Sequence, residues 1–112
     1  MLDAAPELAP RPGGAFVVLD RSLSVCAVSR AAERLLDVYE PSVVNCHVSE
    51  LFETPDPERQ HHVPVAEAIF RAARGEQEVM EVTVRPARTF GVRLRARVGL
   101  CGPRPAALLV FD

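Results

Sequence analysis

Residues Gly14 to Leu36 read GAFVVLDRSLSVCAVSRAAERLL, and the rest of the chain can be built outward from them. Two short apolar runs, Ala15 to Leu19 and Val25 to Val28, are separated by Asp20-Arg21-Ser22. Their length and their β-branched residues favour strand over helix. Asp and Ser in the gap favour a tight turn, because their side chains bond nearby backbone amides. The first half is therefore expected to be a β-hairpin. Ser29 then stops the second strand and caps a helix with its hydroxyl. Ala31, Ala32, Leu35 and Leu36 follow at helical spacing, with Arg30, Glu33 and Arg34 on the other side. Everything downstream reads as completing the sheet that this hairpin begins.

Downstream, Pro41 breaks any helix continuing from Ala31. Val43, Val44, Val48, Leu51 and Phe52 are spaced for short helical turns packed on the sheet. Val63 to Gly75 is the best helix in the chain: Pro64 starts it and Gly75 ends it. Met80, Val82 and Val84 then alternate with Glu81, Thr83 and Arg85, and Val92, Leu94, Ala96 and Val98 alternate with Arg93, Arg95 and Arg97. A period of two marks half-buried antiparallel strands. After a turn at Cys101 to Pro105, Ala106 to Phe111 forms a final apolar strand. The expected order is β-β-α-α-α-β-β-β, an α+β fold with a five-stranded antiparallel sheet and helices on one face. Leu35, Phe70 and Leu94 are expected to be buried between the helices and the sheet.

The opening stretch resembles a PAS domain. Family members tend to read D-x-x-x-x-V-x-x-x-N-x-A-A-x-x-L-L-G, and Asp20, Val25, Ala31, Ala32, Leu35 and Leu36 match. Ser29 stands where Asn is common and Asp37 where Gly is common. Ser still supplies a cap, whereas Asp suits a left-handed helix end less well than Gly. The order of elements after Gly14 also fits the family. The resemblance thus covers residues 14–112, with Met1 to Gly13 as a flexible or short-helical leader.

The chain has 112 residues, the length of one domain. A net charge of −2 gives no electrostatic case for nucleic acid or an anionic membrane. Every basic residue outside histidine is Arg, which reads as the composition bias of a high-GC genome, as do the Ala and Pro contents. No apolar run reaches membrane-spanning length, and the N-terminus lacks a secretory signal core. Three cysteines without paired spacing, Cys26, Cys46 and Cys101, point to reduced thiols in a cytosol.

Several residues invite chemistry. Asn45-Cys46 echoes the flavin-binding LOV signature within the PAS family, in which a thiol sits over the flavin ring. Setting Val43-Val44 and Leu51-Phe52 in the family's register puts Val48, not Cys46, at the reactive position. Asn45 is also the only Asn in the chain, so the further asparagines that hold flavin are missing. His61 and His62 precede the long helix where haem-binding PAS sensors carry a proximal His, which would make His62 the haem ligand. The surrounding Pro-Asp-Pro-Glu-Arg resembles the same region of those sensors, but similar Pro-Asp-x-x-Arg stretches occur in many members that bind no haem, so neither haem nor flavin is expected. Cys46, His47, His61 and His62 match no tetrahedral metal spacing. Arg93, Arg95 and Arg97 lack the neighbouring aromatics of a nucleic-acid surface and read as a solvated or subunit-facing stripe. No phosphate loop, nucleophile elbow or catalytic triad context is present, so no enzymatic activity is expected.

What the resemblance implies is a cytosolic sensory or regulatory module. A small ligand, or none, would sit between helices and sheet. The candidate pocket comprises Phe16, Val18, Val28, Leu36, Phe52, Ile69, Val82 and Leu94. A signal would leave through the outer sheet face and chain ends to an output domain or partner protein, such as a kinase or transcription regulator. The outer face is expected to be apolar on the terminal strands, through Ala15, Val17 and Leu19 or Ala107, Leu109 and Phe111, and to form a homodimer. Leu2 to Leu8 would either join that interface or fold back as a lid. The rival reading is a ligand-free PAS-like dimerisation domain with a filled core.

Overall fold

The computed structural model describes residues 13–52, 65–75, 79–88, 93–101 and 106–111. Strands β1 (Phe16–Leu19) and β2 (Val25–Val28) form the expected antiparallel hairpin. Its turn is held by Asp20, whose carboxylate accepts the Ser22 and Ser24 amides at 2.8 and 3.0 Å. Leu23 closes the turn in the left-handed region at φ 62°. Helices α1 (Arg30–Leu36) and α2 (Glu40–Val43), a 3-10 turn (Val48–Glu50) and helix α3 (Val65–Ala73) follow. Strands β3 (Met80–Val84), β4 (Leu94–Cys101) and β5 (Ala106–Phe111) complete the chain order. Leu2, Leu8, Pro64 and Val92 lie outside the described residues.

The five strands make one antiparallel sheet in the order β2-β1-β5-β4-β3. The last strand is central: Phe16 to Leu19 of β1 pair with Val110 to Ala107 of β5, and Ala96 to Cys101 of β4 pair with Phe111 to Ala106. The helical segment therefore crosses from one sheet edge to the other, covering one face on the way.

That covered face holds the main core. Val17, Leu19, Val82, Val84, Ala96, Val98, Ala107, Leu109 and Phe111 pack against Ala32, Leu36, Phe52, Ile69 and Ala72. Three expectations are corrected here. In α1, Leu36 is 0% exposed while Leu35 is 37% exposed. A seven-residue helix presents one narrow stripe, and Ala32 and Leu36, four apart, occupy it. In α3, Ala68, Ile69, Ala72 and Ala73 face the sheet, so Phe70 turns outward and carries the Arg74 guanidinium 5.1 Å from its ring centre. Leu94, at the start of β4, is only partly buried.

A fourth correction concerns the two sheet faces. Val17, Leu19, Ala107, Leu109 and Phe111 all point toward the helices, so the outer face carries Phe16, Val18, Leu108 and Val110 instead. This outer set forms a second cluster with Cys101. It is not bare: Leu108 is 0% and Val110 3% exposed in the single chain.

Candidate functional site

The interior between α1, α3 and the sheet gathers six of the eight expected pocket residues. Val28, Leu36, Phe52, Ile69 and Val82 are buried there and Leu94 packs against them. Phe52 and Phe111 meet at 6.1 Å between ring centres, tilted by 46°. Phe16 and Val18 are not part of it. In β1 all four residues are apolar, so hydrophobicity marks both faces, and the pairing with β5 turns Val17 and Leu19 inward.

Two polar devices hang the helical layer on the hairpin. The Ser29 hydroxyl accepts the Ala32 amide at 3.2 Å as a helix cap, accepts the Phe16 amide at 2.9 Å, and donates to the Gly14 carbonyl at 3.1 Å. At the other end of α1, the Glu33 carboxylate accepts the Glu40 amide at 2.8 Å, and the Glu40 carboxylate accepts the Val28 amide at 2.7 Å. Val28 is thus tied through two carboxylates to the α1–α2 corner. Sequence reasoning missed this relay, because carboxylates on helix surfaces read as solvated charge. Pro41 lies in the first turn of α2, whereas α1 has already ended at Asp37. Asp37 adopts the left-handed helix end at φ 55° that Gly would favour. An open, charged surface groove lined by Arg30, Glu33, Arg34, Asp37, Val38 and Tyr39 lies over the same corner.

The cofactor candidates separate. Cys46 is half-buried, its sulfur directed at the Ser42 carbonyl 3.6 Å away and outside the helix-facing core. His47 is exposed and its Nδ1 accepts the Ser49 amide at 3.1 Å, capping the 3-10 turn. His61 and His62, with any haem or metal role for them, lie outside the described residues. Among the described residues no three metal-binding side chains cluster, and no helix is long and apolar enough to cross a membrane. All three cysteines are free thiols. Burial, with the Cys26 thiol as a smaller influence, raises the pKa of Cys101; burial and then the Asp20 charge raise that of Cys26.

On the outer face, Glu81 pairs across strands with Arg97 and Thr83 with Arg95. Arg93 and Arg95 are exposed and Arg85 is half-buried. The expected arginine stripe therefore stands on the solvent side of the sheet, beside the second apolar cluster.

No family model matches the sequence, and no curated protein matches it. Solved structures do. The PAS domain of nitrogen regulation protein NR(II) from Vibrio parahaemolyticus superposes with a TM-score of 0.64 at 16% identity, over 95% of this chain and 94% of that one. The PAS domain of an HTR-like protein from Haloarcula marismortui gives 0.62 at 17% identity, over 94% and 84%. The LOV domain of the blue-light activated histidine kinase of Erythrobacter litoralis gives 0.60 at 20% identity, over 91% and 96%. The chain has the PAS fold, as the opening hairpin, cap and helix led one to expect.

Proposed function

We propose, from the PAS fold as premise, that the chain is a sensory or regulatory module rather than an enzyme, receiving a small apolar ligand between α1, α3 and the sheet. The observation offered in support is that Val28, Leu36, Phe52, Ile69, Val82 and Leu94 all belong to the one apolar layer between the helices and the sheet. Buried apolar walls with few polar groups suit a small hydrophobic molecule. The Glu33–Glu40–Val28 relay would carry a displacement of the β2 wall to the α1–α2 corner, and the outer sheet face would pass it to an output domain or partner protein. Neither haem nor flavin belongs to this reading. Cys46 is not among the residues of the helix-facing core, and a haem coordinated by His62 is the minor alternative.

The rival is a ligand-free module that works by self-association through the outer face. Its candidate surface is the outer cluster of Phe16, Val18, Leu108 and Val110.

Native mass spectrometry of gently purified protein tests the proposal. The expected result is a bound mass above the 12.2 kDa chain that is lost on denaturation and absent from an Ala96→Phe variant whose interior is filled. A bare monomer mass from every source would overturn ligand binding, and a bare dimer would establish the rival. A Soret or flavin absorbance that follows the protein through gel filtration would overturn the cofactor-free reading. In that case His62→Ala should abolish haem, with His61→Ala as the control.

A further inference from the structure

The β3–β4 hairpin carries a charge pattern that the fold does not need. The register pairs Glu81 with Arg97, Thr83 with Arg95 and Val84 with Leu94, and Arg85 and Arg93 are the residues that directly follow β3 and precede β4. Val84 and Ala96 face the helices, so by alternation Arg85, Arg93, Arg95 and Arg97 share the outer face. Like charges directly opposite each other across strands are destabilising. The one glutamate on this face of the hairpin, Glu81, stands opposite Arg97 at the far end. Among the described residues Arg85, Arg93 and Arg95 have no ion-pair partner. β3 is an edge strand, and Arg93 and Arg95 are exposed.

We propose that this arginine corner is a docking site for an acidic segment of a partner protein, a short run of Asp or Glu laid across β3 and β4. The proposal rests on the reading of the outer face as the output surface, but it requires no ligand in the interior. Guanidinium groups fixed on a strand present planar forks that bind carboxylates two bonds at a time. A countercharge from outside would also offset the concentration of positive charge at this end of the hairpin, so binding and hairpin stability should reinforce each other. Nucleic acid fits less well. β3 and β4 carry no aromatic residue on which a base could stack, and a chain of net charge −2 gains little from a polymeric phosphate backbone. A second copy of this chain fits less well too. A two-fold contact would bring four arginines and a single glutamate against the same set.

Fluorescence anisotropy with a labelled octaglutamate peptide tests the proposal on the full chain. Binding is expected at low salt and should fade by roughly 0.5 M salt, where exposed charges are screened. Arg93→Ala with Arg95→Ala should weaken it about fivefold to tenfold, as for two exposed ion pairs. Arg93→Lys with Arg95→Lys should retain part of the affinity, and circular dichroism should show both double variants folded. Absence of peptide binding at low salt, or equal binding by the alanine variant, would overturn the proposal. Tighter binding of oligothymidylate or of phosphatidylserine vesicles would assign the corner to those partners instead. Self-association lost with the same arginines would assign it to a second copy. Native mass spectrometry reports separately on the interior, so failure of one reading is distinguishable from failure of the other.

Discussion

Ser29 shows how much one hydroxyl can organise. Its role as a helix cap was legible, because Ser before an Ala-Ala-x-x-Leu-Leu run is a start signal. Its bonds to Phe16 and Gly14 were not, since they depend on where a segment 13 and 15 residues away comes to lie. Ser29→Ala leaves two amides and a carbonyl without this partner. It should cost about 2 kcal/mol of stability in urea unfolding, and a loss no larger than that of a surface serine would mean that the hydroxyl does not join hairpin and helix. Cys101 supports a prediction of a different kind. Its folded pKa is raised, chiefly by burial. Below the ordinary thiol range, about 8.5, both folded and unfolded forms keep the proton and pH has no effect through this group. As pH rises beyond it, the unfolded chain ionises first, so stability is lost on the way to the folded value. Stability should therefore fall less steeply above pH ~8.5 in Cys101→Val than in the parent, and thiol reagents should reach Cys26 well before Cys101. Equal slopes and rapid labelling of Cys101 would mean that the outer face is open.

At the scale of elements, spacing gave the existence of α1 and α3 but not their rotation. Ala31, Ala32, Leu35 and Leu36 offer two overlapping apolar stripes, and either could have faced the sheet. The structure places Ala32 and Leu36, four residues apart on one stripe, in the core. Leu36→Ala should cost roughly 2–5 kcal/mol, whereas Leu35→Ala should cost less than about 1 kcal/mol. Reversed magnitudes in chemical denaturation would place α1 a third of a turn away. The strands divide in the same manner. In β4 charged and apolar residues alternate, and the arginines could be assigned to one face from sequence. In β1 and β5 every residue is apolar, so only pairing decides, and that is why Phe16 and Val18 were expected in the pocket and stand on the opposite face.

For the whole molecule, the order of elements came from the residues, and the PAS resemblance supplied their assembly. Nothing local says that the last strand belongs in the middle of the sheet. Only the register of β5 with both β1 and β4 shows it, and such non-local pairings leave no signature in a short window of sequence. Once β5 is central, its two faces become the two surfaces of the molecule. Leu109 and Phe111 look into the helix-covered interior, while Leu108 and Val110 look into the outer cluster. A change on one side is then felt one residue away on the other, which is the physical basis for reading the interior as receiver and the outer face as transmitter. Methyl NMR of the protein as purified, compared with the same sample refolded after denaturation and removal of small molecules, tests this most directly. The account predicts that Val28, Leu36, Ile69, Val82 and Leu94 shift most, with smaller shifts at Leu108 and Val110. Spectra that coincide throughout, or shifts confined to the outer cluster, would contradict it.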